Sequence, residues 1–158
     1  MTANNKRNRV LERSAWIALI VVGVIFGLFG LSDVILGMDA DPAIAESITG
    51  VPWEDLQASD PQVANLIDMY VRSLGVGLLV VSILSLAITF TAFRRGERWA
   101  WYALWVWPLW NVAIFFLSFT AERHPDFAPP PPMVSSPVFF AVTLLALILS
   151  YHKFFPRA

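Results

Sequence analysis

The 158-residue chain has no cysteine, only two histidines and three tyrosines, and only 15% charged residues. Without cysteine there is no disulfide, no thiolate nucleophile and no thiolate metal ligand, and the redox compartment leaves no mark on the sequence. His124 and His152 fall in segments expected on opposite sides of a membrane, so they cannot share a metal, and neither stands in a His-Glu-x-x-His pattern. Ser135 and Ser136 lack a Gly-x-Ser-x-Gly context, and Gly75-Val76-Gly77 sits inside an apolar run rather than in a phosphate-binding loop. Eleven Lys and Arg, most of them beside apolar runs, give nucleic-acid binding no support. No internal repeat of the kind many transporters carry is visible. Charges also avoid the apolar runs almost completely, where a soluble protein would interleave them to give each helix a wet face.

What the chain has in abundance is apolar sequence: 57% hydrophobic residues and a mean hydropathy of +0.62. Four runs, about 15–38, 70–93, 99–119 and 136–155, each reach the roughly 20 residues needed to cross a bilayer core. They predict an all-α fold, a four-transmembrane-helix bundle in one integral membrane domain over 1–158. A secretory signal peptide is the rival reading of the first run, but its length exceeds the roughly 7–15 apolar residues of such a signal. The middle of the chain turns at Phe93-Arg94-Arg95-Gly96-Glu97-Arg98-Trp99. So short a connection predicts that the second and third spans are antiparallel neighbours.

The segment 39–69 is acidic and reads as a folded outer cap. Asp41-Pro42 and Asp60-Pro61 are helix-start signals. Ile44 and Ile48 predict a short helix ending at Gly50, and Trp53 with Leu56 predicts another at the interface. Val63, Ile67, Tyr70 and Leu74 keep helical spacing, so the second long helix starts near Pro61. Pro129-Pro130-Pro131-Pro132 predicts a stiff polyproline II rod across the top of the bundle.

Two sets of small residues mark helix-packing faces. Gly23, Gly27, Gly30 and Gly37 fall on one stripe of the first helix, and Gly75, Ser82, Ser85 and Thr89 form its natural partner on the second. A substrate path along the glycine stripe is the alternative. Asp33 is a carboxylate inside the first apolar run, a functional candidate whenever its partner can be named. Arg72, at similar depth in the second helix, is that partner, with Asp68 competing for the same guanidinium. The pair reads either as a structural clamp or, with Asn111 and Trp107, as a ligand or proton site. In the third span Trp105, Trp107 and Trp110 lie deeper than an interfacial belt, beside a helix-kinking Pro108 and the amide of Asn111. They predict aromatic packing or a pocket for a small lipophilic ligand, a quinone or lipid.

Nine of the eleven basic residues fall on the side of the termini (Lys6, Arg7, Arg9, Arg13, Arg94, Arg95, Arg98, Lys153 and Arg157), against Arg72 and Arg123 on the other. The positive-inside rule therefore places both termini in the cytoplasm. The segments Ile48-Thr49-Gly50-Val51-Pro52-Trp53-Glu54-Asp55-Leu56 and Arg94-Arg95-Gly96-Glu97-Arg98-Trp99-Ala100-Trp101-Tyr102-Ala103-Leu104-Trp105 resemble a pattern of uncharacterised small bacterial four-helix membrane proteins, similar in layout to the DoxX-like group. The resemblance implies a bundle in the bacterial inner membrane and brings no catalytic residue. The functional expectation is a non-catalytic component or regulator of a membrane complex or homo-oligomer, surrounded by the lipid bilayer. The alternative is a binder or carrier of a quinone or lipid.

Overall fold

The computed structural model describes residues 3–121 and 124–156. Arg123 and Arg157 lie outside the described residues, as do the side chains of Lys6, Arg7 and Arg9. The chain forms α1 (Ala3–Leu36), α2 (Ala43–Thr49), α3 (Trp53–Ser59), α4 (Pro61–Ile88), α5 (Arg98–Ala103), α6 (Val106–Thr120) and α7 (Pro131–Phe154), and no strand occurs among the described residues. Four stretches are long and apolar enough to cross a membrane: Leu11–Ala40, Pro61–Phe93, Arg98–Thr120 and Pro131–Phe154. The all-α four-span bundle with short helices in the connection between the first two spans is thus borne out.

The bundle is built on the crossing of α1 and α4. A Cβ on Gly30 would lie 2.7 Å from the Leu79 amide nitrogen and 2.8 Å from the Gly75 carbonyl oxygen, and one on Gly75 would meet the Gly30 carbonyl at 2.8 Å. The two backbones therefore touch, which only a residue without a side chain allows. Along the same seam Gly27 faces Ser82, and Gly23 faces Leu86. Gly37 leaves the stripe: α1 stops at Leu36, and Gly37 adopts φ 62° just beyond it. That left-handed turn is the usual glycine stop of a helix.

The second and third spans part company, contrary to the expectation from their short connection. Only α5 stays beside the end of α4, and α6 packs along α7. Pro108 explains the divergence. It has no N–H for the Leu104 carbonyl, and its ring crowds that oxygen. The helix accordingly breaks at Leu104 and Trp105, between α5 and α6. The end of α4 widens into a π-helix over Thr89–Phe93, and Trp16 of α1 donates its indole N–H to the Thr89 carbonyl at 3.2 Å. The prolines also differ from the expected rod. Pro130 is extended at φ −59°, ψ 139°, whereas Pro131 and Pro132 form the first turn of α7. The first turn of a helix has no intrahelical use for an N–H, so proline fits there.

Buried side chains from all four spans meet in one core around Leu19, Phe26, Leu78, Phe93, Trp107 and Leu147. A smaller core under the cap joins Met38, Ala45, Trp53 and Ala64. The cap is pinned by polar contacts. Trp53 donates its indole N–H to Asp39 Oδ1 at 2.7 Å and its backbone N–H to Glu46 Oε1 at 3.1 Å, and the His124 N–H reaches the Ser47 carbonyl at 2.9 Å. Asp60 caps α4 by accepting from the Val63 N–H at 3.2 Å, whereas Asp41 gives α2 no side-chain cap.

Gly30→Ala forces two backbones apart and is expected to cost about 2 kcal/mol. Gly77→Ala places its Cβ in open space and should leave stability unchanged or slightly improved. Equilibrium unfolding in mixed detergent and lipid micelles checks the pair; equal effects would contradict the crossing.

Candidate functional site

The densest polar constellation at membrane depth lies where α1 ends against α4. A helix leaves its last carbonyls without intrahelical partners, and in a low-dielectric setting each needs a donor. Arg72 supplies it: its Nη1 donates to the Val34 carbonyl at 2.8 Å and to the Ile35 carbonyl at 2.9 Å. The same guanidinium donates through Nε to Asp68 Oδ2 at 2.6 Å. Asp68 Oδ1 in turn accepts the Met38 N–H at 2.8 Å. One i, i+4 pair on α4 thus closes both the carbonyl end of α1 and the turn after it. A Cβ on Gly37 would overlap the Asp68 carboxylate, so the turn and the clasp fit only together.

Asp33 stands apart from this clasp, which corrects the expected Asp33–Arg72 pair. Geometry decides against it: Arg72 reaches past Asp33 to the carbonyls one and two residues on, and its Nε is taken by Asp68. Asp33 is half-buried against Gly75 at the helix crossing and makes no hydrogen bond or ion pair among the described residues. Asp41 is the charged neighbour that acts on it. Asp41 itself lies just beyond the span, and burial holds its carboxyl above the usual carboxylate range.

The aromatic candidates on the third span diverge. Trp107 is fully buried and stacks on Phe26 of α1, with centroids 4.8 Å apart and planes at 17°. Trp105 turns toward the terminal side, edge-on to Trp101 at 5.6 Å, in a cluster with Tyr151 and Phe155. Trp110 is half-buried against the main core. Asn111 is buried and donates its amide to the Trp107 carbonyl at 2.9 Å, within its own helix. The Trp107 indole N–H is buried with no acceptor among the described residues. Neither the groove between α1 and α7 nor the cleft between α3 and α4 is lined by Trp105, Trp107, Trp110 or Asn111. Among the described residues no group of three or more histidines or carboxylates is placed to hold a metal ion.

Two further cations repeat what Arg72 does, and the sequence alone did not single them out for it. Lys153 of α7 donates to the Phe93 and Arg94 carbonyls at 2.8 and 2.9 Å, closing the end of α4, and sits over the Phe93 ring. Arg98 donates to the Phe154 carbonyl at 3.1 Å, closing the end of α7. A signal for Arg98 was available. A cation in the first turn of its own helix opposes the helix dipole, so it points to the carbonyl end of another helix.

Comparison with known protein families, with curated protein sequences and with solved structures finds no match.

Replacing Arg72 by Met strips two carbonyls and a carboxylate of their donor, and a loss of about 2–3 kcal/mol is expected. Asp33→Asn removes an unpaired charge and should cost less than about 0.5 kcal/mol. Chemical unfolding of the two variants measures the difference; the reverse order would restore Asp33 as the clamp.

The raised value of Asp41 fixes a sign for pH. Its stabilising contribution is complete below the unfolded carboxylate value and is lost as pH rises through the folded one. At neutral pH Asp41→Asn should therefore be the more stable protein, and the gap should close as acid protonates Asp41. Unfolding curves across that range test it, and a gap that widens in acid would refute the assignment.

Proposed function

We propose that the protein is a non-catalytic component or regulator of a larger assembly in a bacterial cytoplasmic (inner) membrane, formed with partner subunits or with further copies of itself. The observation that carries this reading is the use made of polar groups within the spans and at their ends. Arg72, Lys153 and Arg98 each hold the carbonyl end of a neighbouring helix. The buried hydroxyls of Ser82, Thr89, Thr143 and Ser150 donate to carbonyls of their own helices. These groups are thus occupied in building the bundle rather than left for a reaction, with Asp33 the exception. Only 22% to 33% of the most apolar stretch of each span is buried, which leaves broad apolar faces for lipid or a partner. The resemblance in layout to the DoxX-like group supports the inner-membrane bundle alone.

Both termini lie in the cytoplasm and the acidic cap outside, a placement supported by the nine-to-two split of basic residues. Because the chain has no cysteine, single substitutions report on this cleanly. Gln57→Cys in α3 should react with a membrane-impermeant maleimide on intact cells, and Arg95→Cys only after permeabilisation. The opposite pattern would invert the topology. Native electrophoresis of the same preparations should give a defined complex larger than the monomer, whereas a monomer at all detergent levels would remove the assembly role.

A second reading, the binding of a quinone or lipid at Trp107 and Asn111, is favoured by one observation, the buried indole N–H without an acceptor among the described residues. A small molecule that co-purifies with the protein and is lost in a folded Trp107→Phe variant would establish it.

A further inference from the structure

Along the outward flank of α1 and α7 runs an apolar groove of about 470 Å³, with Ser14, Ile17, Val21 and Ile25 on one wall and Phe139 and Val142 on the other. From Ser14 to Ile25 the helix advances about 17 Å, close to one leaflet of a hydrocarbon core about 30 Å thick. At the deep end Phe139 rests on Phe26 at 4.9 Å, and Phe26 stacks on Trp107. The shallow end holds Ser14, the one polar side chain among the lining residues, whose hydroxyl makes no hydrogen bond among the described residues. Arg13 beside it is exposed and forms no ion pair among the described residues. Beyond Arg13 the helix continues back to Ala3, through sequence that carries Lys6, Arg7 and Arg9. Glu12, one residue before Arg13, is close enough to Lys153 to interact with its charge.

We infer that this groove is a binding site for one anionic phospholipid of the leaflet on the terminal side, with an acyl chain along α1 and the phosphate at Arg13 and Ser14. The lining accounts for the chain: it is apolar, one leaflet long and open sideways to the bilayer. The basic end accounts for the headgroup, because a cluster of Lys and Arg at the edge of a span attracts anionic lipid. A wholly apolar groove would accept any lipid; a groove that ends in a free hydroxyl, one residue from an exposed guanidinium, selects. The inference requires only that the four helices cross a bilayer, so it stands or falls separately from the assembly role and from which side is cytoplasmic.

Native mass spectrometry of the full chain, released from vesicles of equal parts phosphatidylglycerol and phosphatidylcholine, tests it. The wild type is expected to retain one phosphatidylglycerol in clear excess over phosphatidylcholine. Arg13→Gln should reduce that excess about fivefold while the protein still carries lipid. Val21→Trp fills the groove from a side chain that is 49% exposed and should lower retention of both lipids. Val138→Trp, from the opposite wall, fills the same space and takes its place if circular dichroism shows Val21→Trp to be unfolded. Equal retention of the two lipids by the wild type, an excess that survives Arg13→Gln, or occupancy that survives filling would each overturn the inference. A dimer that dissociates on filling would also overturn it, by assigning the groove to a second copy of the chain.

Discussion

The fold depends on the need of a helix's last carbonyls for donors where water is scarce. Three of the long helices meet it in the same way, with a cation from a neighbour: Arg72 for α1, Lys153 for α4 and Arg98 for α7. The contacts run between helices, so each closes an end and ties two helices at the same time. Favourable charge at the negative end of a helix dipole adds to the hydrogen bonds. The C-terminus of α6 follows a different course, with the Thr120 hydroxyl folding back onto the Phe116 and Leu117 carbonyls of the same helix. That helix is also the one the proline break sets free to lean on α7.

Between the capped ends the bundle is held by fit. Gly30 and Gly75 bring two backbones into contact, and dispersion over such a close crossing replaces the hydrophobic drive that lipid takes away. The clasp at Arg72 and the crossing at Gly30 lie within two turns of each other on α1, so position along the two helices is fixed once by shape and once by charge. Register between α1 and α4 is therefore the most strongly determined feature of the molecule.

The four spans, the cap helices and the start of α4 at Pro61 were legible because they rest on local signals: apolar length, Asp-Pro starts, and spacing at three and four residues. The partner of Arg72 was only half legible. Asp68, at i−4, is a local relation that sequence displays, whereas two backbone carbonyls of another helix carry no residue identity to read. The same blindness hid Lys153 and Arg98, whose targets are also carbonyls. The departure of α6 from α4 needed a distance that spacing does not give: Pro108 marks a break, but its direction is set by Trp107 stacking on Phe26. The prolines at 131 and 132 obeyed a local rule, helix N1 preference, that competed with polyproline extension and won.

Cations that reach from one helix to the end carbonyls of another hold the bundle's ends. Lys153 tests this most directly, since it touches two carbonyls and no carboxylate within hydrogen-bonding distance among the described residues. The measurement is equilibrium unfolding in lipid-containing micelles of the wild type, Lys153→Met and Lys153→Arg. The account predicts that Met, which keeps the apolar stem, loses about 2 kcal/mol and that Arg, which keeps the donors, recovers most of it. Equal stability of the Met variant and the wild type would contradict it.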